Sequence, residues 1–418
     1  MDQRRDQLAH WAANIIKQLS ELDVNPELEV VSGDASFRRY FRVHQQTAGC
    51  DIMAAAGDGT QHSNQHSNQH SVQRRPLSWI AVDAPADKED NPRFVRIARQ
   101  WRKAGVQVPE VLAEDFQQGF MLLQDFGDQL LWPALHPAEP LTEPEASSPS
   151  ENAPADDQQR VKNLYRQAIE QLLCIQQLDG RELPGYDAAL LDQEMALFRD
   201  WLCQQKLQMT LSDDEQQMLQ QVFTALRQRA LAQPQVVVHR DYHSRNLMLL
   251  TQLRQDLPSL GVIDFQDAVV GAATYDLVSL LRDCYVRWPP SWVMDLAADY
   301  WQQAREQGLY LHDWPVFVQD FDWMGMQRHL KAAGIFARLQ LRDGKDGYLA
   351  DIPNTCRYLF EISALYPEFS AFHQWLEARF WPALQQQLGA PPLSQLVQSQ
   401  VVQSPVVQGQ AGSQDVLL

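Results

Sequence analysis

Three oxygen-bearing side chains, Asp241, Asn246 and Asp264, stand at positions from which they could do chemistry together. Val236-Val237-Val238 runs into the polar stretch His239-Arg240-Asp241-Tyr242-His243-Ser244-Arg245-Asn246. The apolar Leu247–Leu250 follows, and Gly261-Val262-Ile263 then delivers Asp264. β-branched and apolar runs bounded by polar residues predict strand, tight loop, strand, turn, strand, which would bring the three side chains to one edge of a small sheet. One carboxylate can orient an acceptor hydroxyl and take its proton. An amide oxygen and a second carboxylate can hold Mg²⁺ on nucleotide phosphates, because Mg²⁺ prefers hard oxygen ligands. The chemistry these types suit is phosphoryl transfer to an alcohol, with Asp241 as the catalytic base and Asn246 and Asp264 as the metal ligands. Ordinary turn capping by Asp and Asn is the plainer reading, and Ile263-Asp264-Phe265-Gln266-Asp267 following the loop weighs against it.

The spacing His239-x-Asp241-x₄-Asn246 with a strand-end Asp264 resembles the kinase catalytic loop and its metal-binding Asp. Gln266 stands where a protein kinase has the Gly of Asp-Phe-Gly. The short step to Tyr275-Asp276-Leu277 leaves no room for a phosphorylatable activation segment, so a small-molecule kinase is favoured. The H-x-D-x-H-x-x-N, I-D-x-x-D and Y-D-L elements are similar to those of the aminoglycoside phosphotransferase family.

The elements that must position these residues follow from periodicity. Leu8, Trp11, Ile15, Ile16 and Leu19 predict a packing helix over residues 5–20. Strands are expected at Glu27–Val31, Phe37–Val43, Leu77–Val82, Val111–Glu114 and Gly119–Leu123, with a helix over Pro92–Ala104. The hairpin tip Ser32-Gly33-Asp34-Ala35-Ser36 can present backbone N–H groups to nucleotide phosphates. Leu123, Gln124 and Phe126, followed by Gly127, resemble a kinase hinge, where backbone groups bind adenine. Kinases carry a Lys in the third strand, but none occurs between Lys17 and Lys88, so Arg38, Arg42 or Lys88 is left to contact the phosphates.

Helices are expected over Val161–Leu178, Leu190–Cys203 and Asp213–Leu231. The last opens on a Ser212-x-x-Glu215 capping box, and the chain is expected to be helical from Asp276 to Leu388. Three stretches read as unstructured from composition: an insertion at about 45–75, where His62, His66 and His70 recur in a polar repeat; the acidic, Pro-rich residues 136–158; and the tail 391–418. Arg328, His329 and Lys331 in the 326–339 helix read by charge pattern as a solvated basic face.

The 418 residues suit two lobes, and a net charge of −18 argues against binding nucleic acid or an anionic membrane. Five dispersed cysteines predict reduced thiols and a cytoplasmic address. The opening Met1-Asp2-Gln3-Arg4-Arg5 predicts no signal peptide, and no apolar run is long enough to span a bilayer. No obligate protein partner is evident.

The resemblance extends over most of residues 28–360. It includes Gly33–Val43, Val82-Asp83-Ala84-Pro85, Asn91–Ala98, Leu191–Trp201 and Gln327–Phe336, and is to a branch of the aminoglycoside phosphotransferase family that acts on amino sugars. In that branch Asp takes the place of the third-strand Lys. The resemblance implies an α+β, bilobal protein-kinase-like fold with a small antiparallel-sheet N-lobe (1–123), a hinge and linker (124–160), a mostly helical C-lobe (161–390) and a tail (391–418). It implies ATP and Mg²⁺ as cofactors and transfer to the anomeric C1 hydroxyl of N-acetylmuramate and N-acetylglucosamine in cell-wall recycling. Ser32–Ser36, Arg42, Leu123, Gln124 and Phe126 would then bind nucleotide. Glu194, His243, Asp267 and Arg328 would contact sugar, Arg328 through a lactyl carboxylate. Kinases of aminoglycosides, choline or homoserine, and a nucleotide-binding pseudokinase, are the alternatives.

Overall fold

The computed structural model describes residues 2–20, 22, 24, 27–33, 37–45, 77–135, 155–250 and 259–398. The His62/His66/His70 repeat, nearly all of the 45–75 insertion, and residues Asp34, Ala35 and Ser36 lie outside the described residues. The chain divides into two compact units, Met1–Asp128 with Gly261–Gln266, and Gln129–Leu260 with Asp267–Leu418.

The first unit opens with α1 (Gln3–Ser20) and then builds β1 (Glu29–Gly33), β2 (Arg39–His44) and β3 (Ser78–Asp83). It continues with α2 (Asn91–Lys103), β4 (Val111–Asp115) and β5 (Phe120–Gln124). The five strands form one antiparallel sheet in the order β1-β2-β3-β5-β4. Alternation decides which face is covered. Phe41 and Val43 on β2, Ala81 on β3, and Phe120 and Leu122 on β5 are buried with Leu8, Ala12 and Ile16 of α1, whose spacing puts them on one helical stripe. Asp90 caps α2 by accepting from Arg93 N at 3.0 Å.

The second unit is mostly helical. It contains α3 (Leu131–Ala134), α4 (Ala155–Gln176) and α5 (Ala188–Leu197), which runs into a π-helical segment, Phe198–Lys206. α6 (Asp213–Ala232) leads to β6 (Gln235–Val238), β7 (Leu247–Leu250) and β8 (Ser259–Val262), whose first two residues belong to this unit. β9 (Val269–Ala272) precedes α7 (Tyr275–Leu281), α8 (Pro290–Glu306), α9 (Trp314–Asp343) and α10 (Asp351–Ser363). The expected capping box starts α6: Ser212 Oγ accepts from Glu215 N at 3.2 Å, and Glu215 returns a carboxylate to Ser212 N at 2.8 Å. Gly334 lets α9 press on the end of α5, since a Cβ there would sit 2.3 Å from the Leu197 carbonyl carbon. That close approach puts the charged residues of α9 beside Glu194 of α5.

The expected α+β division of a kinase-like fold, with one antiparallel sheet and a mostly helical remainder, is present. Three expectations need correction. The small sheet behind the catalytic loop is two separate two-stranded ladders, β6 with β9 and β7 with β8, because the loop after Val238 turns the chain out of the first ladder. α4 starts at Ala155, inside the acidic stretch read as unstructured. Leu393–Gln398, assigned to the disordered tail, is helical after Pro391-Pro392.

Candidate active site

The loop His239–Asn246 is held first through its own backbone N–H groups. β6 is fully paired with β9 and enters the loop from a buried run, Val236–Val238. Asp276, in the first turn of α7 and buried, accepts from His239 N at 2.6 Å and from Arg240 N at 3.0 Å. Burial pushes its carboxyl up to about 6, against the His239 charge and the two backbone donors. Arg240 adopts φ 80°, a left-handed conformation uncommon for a residue with a Cβ. Its side chain is tied as well, Nη2 reaching Glu194 Oε1 at 2.6 Å. This kink sets the direction in which Asp241 leaves the strand.

The loop closes on itself through the Asp241 carbonyl, which accepts from His243 N at 3.1 Å and from Asn246 Nδ2 at 3.0 Å. The Asn246 amide thereby commits its NH₂ to the backbone, so Oδ1 is the atom a cation would use. Ser244 donates from N and Oγ to Asp283 Oδ2 at 3.0 and 2.6 Å. Tyr242, fully buried, donates to Ala168 O of α4 at 2.7 Å. Arg245 is stacked on Tyr285, with its guanidinium carbon 3.6 Å from the ring centre.

Asp241 itself is half-buried. Burial alone would raise its pKa, but Lys331 chiefly, then His243, Arg328 and His239, hold the carboxyl below the usual carboxylate range. It is therefore an ionised acceptor at neutral pH. Next to it, burial drives His243 down to about 4, so the imidazole is neutral, and its Nδ1 is buried without a hydrogen-bond partner among the described residues.

Glu194 is the centre of a buried polar cluster. Beside Arg240 it takes Lys331 Nζ at 3.3 Å and the Tyr186 hydroxyl, and Lys331 also donates to the Tyr275 hydroxyl at 2.9 Å. With three donors on one carboxylate, Glu194 braces the His239–Asn246 loop and α9 rather than standing open. The basic residues of α9 are not a solvated face: Arg328 is 5% and Lys331 7% exposed. Asp267, at the start of this unit's second segment, is exposed.

In the first unit, Asp264 follows β8 with φ 66°, again left-handed, and its Oδ1 accepts from Gln266 Nε2 at 2.6 Å. The turn is anchored by Phe265, buried against Phe94 at 5.0 Å and Trp101 at 5.7 Å, and by Val262 N donating to Gln107 O at 2.7 Å. Ser32 and Gly33 end β1. Arg42 reaches Asp125 and Asp128, both at 2.6 Å, and so braces the segment after β5 that carries Phe126. Leu123 is buried on β5, and Gln124 receives Arg102 Nη1 at 3.3 Å. Asp83, in the third strand, is paired with Arg4 and Arg39. Arg38 pairs with Glu89 at 3.0 Å just ahead of α2, and Lys88 pairs with the exposed Asp87.

Among the described residues no cluster of three or more His, Cys, Asp and Glu side chains could hold a metal by protein ligands alone. A carboxylate and an amide oxygen are each hard donors of the type Mg²⁺ takes alongside phosphates and water. No described helix is long and apolar enough to cross a membrane.

A kink-held H-x-D-x₄-N loop, and a strand-end Asp on a left-handed turn, define a phosphotransferase of the kinase-like class. The sequence profile of the phosphotransferase enzyme family (APH) matches residues 27–309, and the chain belongs to that family. An N-acetylmuramate/N-acetylglucosamine kinase of Pseudomonas putida is 36% identical over 376 residues, covering 88% of this chain and 94% of that one. Its counterpart from Neisseria meningitidis serogroup B is 36% identical over 374 residues, covering 89% and 94%. Among solved structures, the choline kinase LicA from Streptococcus pneumoniae superposes with a TM-score of 0.51 at 11% identity, over 85% of this chain and 100% of that one. At that identity the likeness is one of fold.

Sequence reasoning singled out Asp241, Asn246 and Asp264, and the structure sets Asp241 and Asn246 in one loop and Asp264 on a left-handed turn after β8. Sequence reasoning did not assign Lys331, Arg240, Tyr186 or Asp276 a role. Tyr275-Asp276-Leu277 was the available signal for Asp276; Lys331 and Tyr186 carried none, since their partners lie far away along the chain.

Proposed function

We propose that the protein transfers the γ-phosphoryl group of ATP to the anomeric C1 hydroxyl of N-acetylmuramate and N-acetylglucosamine. The observation that carries this reading is the ionised Asp241 at the tip of the kinked loop, held below the usual carboxylate range despite its burial. An anomeric hydroxyl is more acidic than an ordinary alcohol, so a carboxylate that stays ionised is an adequate base for it. The names of the relatives, at 36% identity over nearly their whole length, support an amino sugar as the acceptor.

Asp241 orients O1 for in-line attack and accepts its proton. His243, neutral, offers its unpartnered Nδ1 to a polar group of the sugar. Glu194 acts through Arg240, fixing the kink that aims Asp241. Asp267 is an exposed contact to the acceptor. The Leu123–Phe126 segment, with Gln124, receives adenine through its backbone. Ser32-Gly33-Asp34-Ala35-Ser36 covers the phosphates, and Arg42 holds the adenine segment in place through Asp125. Asn246 and Asp264 would hold Mg²⁺, which when bound neutralises charge on the phosphates. Most of the rate gain is positioning and charge compensation.

The test is product analysis by ³¹P and ¹H NMR after incubation with Mg-ATP and each sugar. A phosphorus signal coupled to the anomeric proton is expected. Phosphate on O6, or no ATP consumption with either sugar, would remove this assignment.

A further inference from the structure

Arg282, Arg328 and Lys331 are the buried cations among the described residues of the second unit, and of these Arg328 alone makes no ion pair. Arg240 and Lys331 share Glu194, Arg282 is paired with Asp322 at 2.6 Å, and Arg287 is paired with Glu361. Arg328 is 5% exposed, yet it makes no ion pair among the described residues. Its Nη1 points to Cys284 Sγ at 3.4 Å, a thiol that burial keeps protonated. The nearby Asp283 is already taken by Ser244 N, Ser244 Oγ and Tyr285 N. A guanidinium taken out of water without a counter-charge is costly, and a site that keeps one is a candidate for receiving an anion from elsewhere.

Its position says which anion. Arg328 stands one helical turn from Lys331, and Lys331 shares Glu194 with Arg240, the residue before Asp241, so Arg328 belongs to the acceptor side of the same site. The two sugars named for the relatives differ by one group: N-acetylmuramate carries a lactyl ether with a free carboxylate at O3, and N-acetylglucosamine carries a hydroxyl. A planar five-donor guanidinium is the side chain suited to a carboxylate in a bidentate pair. We infer that Arg328 is the specificity-determining residue that reads the lactyl carboxylate, so that charge rather than ring shape separates the two amino sugars in this site. The inference rests on the amino-sugar reading above.

The experiment compares kcat/KM at saturating Mg-ATP for N-acetylmuramate, its lactyl carboxamide and N-acetylglucosamine, in the wild type, Arg328→Met and Arg328→Lys. The wild type is expected to favour the acid over the carboxamide by about 100-fold, the scale of losing one partner of a buried charge pair. In Arg328→Met the ratio of N-acetylmuramate to N-acetylglucosamine activity is expected to fall by a similar factor, and acid and carboxamide to become equivalent. Arg328→Lys restores part of the acid preference, since it keeps the charge without the fork. Equal wild-type use of acid and carboxamide would overturn the inference even if Arg328→Met failed to fold. So would parallel loss of both sugars in the variants with a raised KM for ATP, which would assign the cation to a nucleotide phosphate. A wild type inert toward both sugars would overturn the amino-sugar reading itself, and this inference with it.

Discussion

Replacing Glu194 by Gln removes one negative charge facing two buried cations. With an effective dielectric of about 20, the attraction to Arg240 at 2.6 Å is about 6 kcal/mol and that to Lys331 at 3.3 Å about 5 kcal/mol. Desolvation of three ions offsets most of this gross figure, and the measurable quantity is the cost of leaving charges uncompensated, about 3–5 kcal/mol for a well-buried group. Arg240 keeps 21% of its side chain in water, so the lower end applies, about 3 kcal/mol. For a unit of this size that corresponds to a fall in Tm of about 6 °C. Arg240 would also lose the side-chain anchor of its left-handed kink, leaving only the Asp276 clamp. A fall in kcat of about tenfold or more is therefore expected, the scale of a small misplacement of the reacting group. The assay is thermal unfolding in parallel with steady-state kinetics. A Tm within a degree of wild type would show that the three-donor arrangement around Glu194 contributes nothing net.

Three further perturbations test separate parts of the account. Lys331→Met removes the cation that chiefly opposes the effect of burial on Asp241. The Asp241 pKa should rise, and the acid limb of the kcat/KM–pH profile should move to higher pH; an unmoved limb would contradict the electrostatic assignment. Asp351, pushed up to about 6 by burial against the Arg245 charge, binds protons more tightly folded than unfolded, where its value is about 3.8. Wild-type stability should therefore decline relative to Asp351→Asn as pH rises from about 4 to about 6. The difference, about 2 kcal/mol after discounting for partial exposure, should be flat above that window in denaturant unfolding. Asp264→Ala should lose Mg²⁺-dependent nucleotide affinity in calorimetry run with and without metal, whereas equal affinities in the variant and wild type would free Asp264 of that role.

The catalytic loop was legible because its information is local. His239, Asp241 and Asn246 lie within eight residues, and the bonds that close the loop on the Asp241 carbonyl come from His243 and Asn246 within it. The sheet of the first unit was legible for the same reason: β2 and β5 set Phe41 and Val43, and Phe120 and Leu122, at alternate positions toward α1. What sequence did not reveal depends on pairing across long separations. Arg328 and Lys331 look like a solvated helix face by charge pattern. They are buried because Gly334 brings α9 against α5, and for Lys331 because Glu194, over a hundred residues earlier, supplies the carboxylate. The pairing of β6 with β9 was hidden likewise, since Val269-Val270 is too short to declare itself a strand without its partner. The third-strand Asp83 reads as a lost Lys in the chain, whereas the fold surrounds it with Arg4 and Arg39.

The most direct test of the account is phosphoryl transfer by Asp241→Ala, measured as sugar phosphate formed under saturating Mg-ATP with nucleotide binding followed on the same sample. Loss of turnover by about a thousandfold or more, with nucleotide binding retained, is the predicted outcome, since general-base assistance and positioning are removed together. Turnover near the wild-type rate would contradict it.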